Sequence, residues 1–177
     1  MTATNTPPAK LSVLVGDRFA CVKIAGRANF ASSVDFRTLV NELLARRFRY
    51  FVLDLSECQL MDSTFLGVLA GFGLKMSRTR EDRQPGIELL NPNPRVAEVL
   101  ENLGVQHLFS ITHGQLELAG CAEVRPQSGA APTKTELTEA CLEAHKTLMA
   151  LNPANVARFK DLAQFLAEDL KKLKAGE

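Results

Sequence analysis

Apolar positions along the chain alternate between two rhythms. LSVLV (11–15), the turn pair Gly16-Asp17 and FACVKIAG (19–26) have the two-residue period of a β-hairpin. Ala20, Val22 and Ile24 fall on one side of its second strand, and Cys21 and Lys23 on the other. The rhythm then lengthens. Phe36, Leu39, Val40, Leu43 and Leu44 recur at helical spacing, predicting a helix that starts near the candidate caps Ser32 and Ser33 and runs to about Arg47. YFVLDL (50–55) is apolar on both faces, as a central strand requires, and SECQLMDS after it predicts a loop. From Ser63 to Arg78 the chain is apolar nearly all round, so this helix is expected to be largely buried.

IELL (87–90) predicts a short strand, and NPNP (91–94) starts a third helix with Val96, Val99, Leu100 and Leu103 on one face and Gly104 at its end. HLFSI (107–111) is the expected last strand, with QLEL (115–118) as a weak extension. The order β-β-α-β-α-β-α-β predicts an α/β fold with a mixed β-sheet flanked by helices.

After Gly120 large apolar residues become scarce, and residues 120–133 are expected to be a linker. Thr133 and Glu136 then form a capping-box pattern. Leu137, Cys141, Ala144, Leu148 and Leu151 mark one helix, and Asn152-Pro153 ends it and starts a second carrying Val156, Phe159, Leu162, Leu166, Leu170 and Leu173. The predicted organisation is therefore a flexible N-terminal lead (1–10), an α/β domain (11–119), the linker (120–133) and a C-terminal αα-hairpin (134–177). Two amphipathic helices bury their apolar stripes poorly by themselves, so this hairpin must cover the α/β domain, a second copy or a partner. A homo-oligomer through the C-terminal helices is one expectation.

Of the 177 residues, 46% are apolar and 23% charged, ordinary globular values. Lys plus Arg number 21 against 20 for Asp plus Glu, which leaves no basic field for nucleic acid or an anionic membrane. The start MTATNTPPAK has neither the basic nor the apolar part of a secretory signal, and no stretch reaches the ~20 apolar residues of a membrane span. The four cysteines (Cys21, Cys58, Cys121, Cys141) are scattered and the three histidines (His107, His113, His145) show no metal-ligand spacing. A cytoplasmic protein without metal or cofactor is expected. Arg46, Arg47 and Arg49 are expected to complement a helix C-terminus, and Arg78, Arg80 and Arg83 likewise, diluted by Glu81 and Asp82. No GxxxxGK[ST] phosphate cradle is present.

The candidate chemistry lies in LDLSECQLMDSTFLGVL (53–69), where a buried strand leads through a polar loop into Asp62-Ser63-Thr64 at a helix start. First-turn N–H groups lack partners there, so a hydroxyl can cap the helix and a phosphate on it is accommodated. Ser63 as a hydrolase nucleophile with His107 or His113 lacks the G-x-S-x-G elbow and is disfavoured.

This stretch resembles the phosphorylation segment of the STAS domain, the sulphate transporter and anti-sigma factor antagonist family. Asp54 and Ser56 match its first phrase; Asp62, Ser63, Thr64, Leu66 and Gly67 match its second; Gly26 matches the glycine before the partner-surface loop. The resemblance spans about 11–118 and implies a STAS-like fold. It also implies a non-enzymatic anti-sigma factor antagonist that works by partner switching. The unmodified form binds an anti-sigma factor that is also a serine kinase. Phosphorylation of Ser63 releases it, and a serine phosphatase restores binding. The resemblance sets Asp62, Thr64 and Asn29 around the phosphoacceptor, Asn29 standing where many members are acidic. It sets Gly26, Arg27, Phe30, Ser33 and Phe65 on the partner surface, Phe65 replacing a frequent glycine. The alternative is a constitutive scaffold or transport-complex subunit that binds without phosphorylation.

Overall fold

The computed structural model describes residues 7–78, 86–124 and 130–176. The expected hairpin is present as β1 (Lys10–Val15) and β2 (Phe19–Ala28), paired antiparallel. Strands β3 (Tyr50–Asp54), β5 (Ile87–Leu90) and β6 (Ser110–Thr112) extend the sheet from β2 in parallel. Two further strands stand where loop and linker were expected. β4 (Cys58–Met61) pairs in parallel with the end of β2, and β7 (Ala122–Val124) pairs antiparallel with β1. The main path of this mixed sheet is β6-β5-β3-β2-β1-β7, with β4 set off it.

Both corrections have the same cause. β4 buries only Cys58 and Met61, and β7 buries none of its three residues. Their pairing is supplied by backbone bonds to an existing edge and leaves no apolar alternation to read. QLEL (115–118) forms no strand, and the first two residues of the expected last strand, 107 and 108, belong to a 3₁₀ turn (Gln106–Leu108). The positions Arg80, Glu81, Asp82 and Arg83, residues 1–6 of the expected lead and 125–129 of the expected linker lie outside the described residues.

Helices α1 (Phe30–Ala45), α2 (Ser63–Arg78) and α3 (Pro94–Asn102) follow the predicted spans closely. The start of α1 differs. Asn29 is its cap, accepting from the Ser32 N–H, while the Ser32 hydroxyl accepts from the Asn29 N–H. Ser32 and Ser33 thus lie inside the first turn, not before it. At the other end Arg49 donates to the Leu44 carbonyl in the last turn and to the Phe48 carbonyl beyond it, while Arg46 pairs with the Glu42 carboxylate instead of a helix-end carbonyl.

The core lies between one face of the sheet and α1 and α2. Ala20, Val22, Ile24, Phe51 and Leu53 meet Phe36, Leu43, Phe65, Leu66 and Leu69, all fully or almost fully buried. Phe36 and Phe65 stack at 4.9 Å between ring centres, and Phe51 meets Phe72 edge-on at 4.9 Å. On the opposite face Cys21, Val52 and Leu90 form a small cluster with Leu14, Phe19 and Leu116.

The C-terminal hairpin is α4 (Lys134–Leu151) and α5 (Ala154–Ala175), and the predicted Thr133–Glu136 capping box starts it. α4 packs on α2, α1 and α5. Leu148 belongs to the main core, with Leu151 and Phe159 against it. Asn155 is fully buried and donates to the carbonyls of Leu103 and Leu148, tying the hairpin bend to the end of α3.

Candidate functional site

The site forms where β2 and β4 end side by side. At Gly26 the backbone has φ +95°, a conformation open to glycine at little cost, and the β2 ladder bulges between Gly26 and Arg27 as it leaves β3 for β4. The Asp62 N–H then donates to the Ala28 carbonyl. This bond brings the starts of α1 and α2 together, two helix N-termini facing one spot.

Asp62 serves both. Its Oδ1 accepts from the Phe65 N–H at 2.8 Å, capping α2, and its Oδ2 accepts from the Phe30 N–H at 2.7 Å in the first turn of α1. An anion between two positive helix ends is well placed electrostatically. Burial nevertheless pushes its carboxyl above the usual carboxylate range, opposed by the N–H bonds from Phe65 and Phe30 and by nearby His145.

Ser63 is therefore not the cap. As the first residue of α2 it leaves its hydroxyl free of any helix duty, and Oγ lies 2.9 Å from Nε2 of His145 on α4. The other ring nitrogen, Nδ1, donates to the Cys141 carbonyl at 2.7 Å, since a carbonyl only accepts. In the neutral ring Nε2 is then the acceptor and the serine hydroxyl the donor. His145 is buried, with Phe159 of α5 edge-on to its ring at 4.9 Å. One residue along, Thr64 Oγ1 sits 3.0 Å from Cys141 Sγ. Burial pushes the Cys141 thiol up; Thr64 opposes this and Asp62 adds to it.

The other expected site residues divide. Arg27 is exposed beside Gly26, and Phe30 is 50% exposed, so the loop does present a surface. Ser33 is fully buried, its hydroxyl donating to the Phe30 carbonyl, and belongs to the helix start instead of a partner surface. Phe65 is also fully buried, its ring tilted against Phe36, so it supports the first turn of α2 from beneath and presents no surface to a partner in this structure. Asn29 spends its side chain on the α1 cap. His107 and His113 are exposed, and the histidine at Ser63 is His145. His145 lies next to the stripe of Cys141, Ala144 and Leu148, but its contact with a residue 82 positions away has no sequence signal.

Among the described residues no group of His, Cys, Asp and Glu is placed to hold a metal ion. The Ser63–His145 pair resembles part of a hydrolase dyad. It lacks an orienting carboxylate, because Nδ1 bonds a backbone carbonyl, and the nearby Phe65 N–H is already taken by Asp62.

A family model described as "Mlab, STAS domain" matches residues 16–112, more than half of the 177-residue chain. The chain belongs to the STAS domain family. A solved structure from Thermotoga maritima, described as a candidate anti-sigma factor antagonist, shares the fold with a TM-score of 0.50 and 22% identity, covering 62% of this chain and 86% of that one. An anti-sigma factor antagonist from Mycobacterium paratuberculosis is similar at a TM-score of 0.49 and 16% identity, covering 59% and 85%. No curated protein matches the chain. The matched STAS segment ends before α4, so His145 and Cys141 reach Ser63 and Thr64 from outside it. No helix among the described residues is long and apolar enough to cross a membrane.

Proposed function

We propose that this STAS protein is an anti-sigma factor antagonist acting by partner switching, with Ser63 as the phosphoacceptor. The observation that carries the reading is the division of labour at the start of α2. Asp62 takes the capping bonds, so the neighbouring hydroxyl is released from capping and sits at the positive end of a helix. A phosphate there adds about −1.5 to −2 charges beside the Asp62 carboxylate. The helix end tolerates that charge. A partner pressed against Arg27, Phe30 and the α2 start does not, because its approach would desolvate two neighbouring anions.

The partners on this reading are an anti-sigma factor that is also a serine kinase, and a serine phosphatase. Intact-mass and fragment spectra of the chain from its own cells test it: about 80 Da added at Ser63, absent in Ser63→Ala, is expected. Ser63→Asp is expected to weaken binding to the anti-sigma factor at least tenfold. Equal affinity of Ser63→Asp and Ser63→Ala, with no phosphate in cells, overturns the switch.

A second reading, a constitutive scaffold or transport-complex subunit, is favoured by one observation: the Ser63 hydroxyl is already engaged by His145. Unmodified Ser63 in cells alongside undiminished partner binding is its signature. Self-association through the hairpin belongs to the outer side of α5, where Leu162 is 40% and Phe165 64% exposed. Sedimentation of Phe165→Glu as a smaller species than the parent checks it.

A further inference from the structure

We infer that α4 is a cover held in cis over the phosphoacceptor face, and that a docked α4 and a phosphorylated Ser63 exclude one another. As regulation this rests on the partner-switching reading; as a structural statement it rests on contacts.

Three observations converge. The first is direct occupation. Ser63 Oγ has a ring nitrogen at 2.9 Å, and that ring is itself buried and backed by Phe159. Ser63 is half-buried; with Oγ facing α4 as it does here, three phosphate oxygens on it need the volume the imidazole fills, which a close-packed ring does not yield without moving α4. The second is the closeness of the seam. At Gly67 of α2 a Cβ would lie 2.4 Å from the Ala144 carbonyl oxygen and 2.6 Å from the Ala144 Cβ, so the helices meet backbone to backbone, one turn beyond Ser63. The third is that the seam is open along one side. Beyond Gly67, on the side away from Ser63, a solvent-open groove of about 180 Å³ runs between α1, α2 and α4, with Arg37, Lys75 and Glu143 among its lining residues. The bend is held differently: Leu148 is in the core and Asn155, at the start of α5, is bonded to Leu103. The cover is anchored at its bend and borders solvent along this groove.

The consequence runs in both directions. An ATP-dependent serine kinase forms the Oγ–P bond as the bond from the γ-phosphorus to ADP breaks, and the hydroxyl proton passes to the kinase's base. That enzyme reaches Oγ only when His145 has withdrawn. Once attached, the phosphate keeps α4 from returning, and the covered face of α2 around Gly67 stays open.

The test needs no kinase. The full chain is made with Ser63→phosphoserine, and amide exchange together with alkylation of Cys141, located by peptide mapping, is compared with the unmodified chain. The expected result is at least tenfold faster exchange over 138–147 and at least tenfold faster Cys141 labelling, with β2, β3 and α1 as protected as before. Gly67→Ala is expected to open α4 in the same way without adding charge. Unchanged protection of α4 in the phosphoserine chain overturns the inference. So does loss of protection in the sheet together with α4, which would make α4 an inseparable part of the core. Absence of phosphate on Ser63 in cells would instead sink the switching reading and leave these outcomes as they are.

Discussion

Two short phrases of the chain look alike, Asp54 with Ser56 and Asp62 with Ser63, and the fold uses them in opposite ways. At the first, Asp54 Oδ1 accepts from the Ser56 N–H at 3.0 Å and the Ser56 hydroxyl at 2.6 Å, and Asn91 donates to that hydroxyl at 3.0 Å. The bonds fasten an exposed turn and tie it through Asn91 to the chain at Gly114, leaving the hydroxyl engaged at the surface. At the second, the carboxylate serves two helix starts from distant parts of the chain, and the hydroxyl is passed to a third helix. An acid and a hydroxyl two residues apart satisfy each other. Placed one apart at a helix start, the acid is claimed by backbone donors and the hydroxyl is left for something else. The difference between a turn and a site is which neighbours compete for the oxygen.

The largest effect expected in testing this contrast is at the support under the second phrase. Phe65→Ala should cost about 3–5 kcal/mol in urea unfolding, since a fully buried ring leaves a cavity under the α2 start. A loss below about 1 kcal/mol would return Phe65 to the partner surface from which its burial removes it. Next comes the carboxylate itself. Asp62→Ala removes two charge-assisted bonds, a part-buried one from the Phe65 N–H and an exposed one from the Phe30 N–H, and should cost about 2–4 kcal/mol, whereas Asp54→Ala, in its exposed turn, should cost under about 1 kcal/mol. Equal losses would break the comparison.

The smallest effect is a titration. The Cys21 thiol is pushed up from 9.0 to about 11, by burial first and by the Asp54 carboxylate second. The raised value favours the protonated native state. This contribution to stability is therefore fully present below pH 9 and is lost as the pH rises through about 11. Thiolate absorbance should show Asp54→Asn lowering the Cys21 midpoint while leaving it above 9.0, because burial, the larger cause, is unchanged.

The motif was legible because its residue types sit at fixed short spacings, and the strand that precedes it and the helix that follows announce themselves by period. Gly26 was picked out by its resemblance to the family glycine, and the structure supplies the reason, a φ of +95° that side chains resist. What escaped was whatever depended on a distant surface. β4 and β7 pair with edges already present, so their own residues carry little apolar signal. Phe65 and Ser33 lie in the right segment but face inward, a matter of helix rotation against Phe36 and the Phe30 carbonyl.

By itself, then, the order of residues determined the alternating strands and helices of an α/β unit, a helical hairpin after it, and a serine at the start of α2. Local period, capping and turn chemistry need only neighbours along the chain. The tertiary structure alone decided that the hairpin lies across that serine. The Ser63–His145 and Thr64–Cys141 contacts span 82 and 77 positions. Contacts of that range come from apolar faces finding each other, a non-directional force that writes no spacing into the sequence.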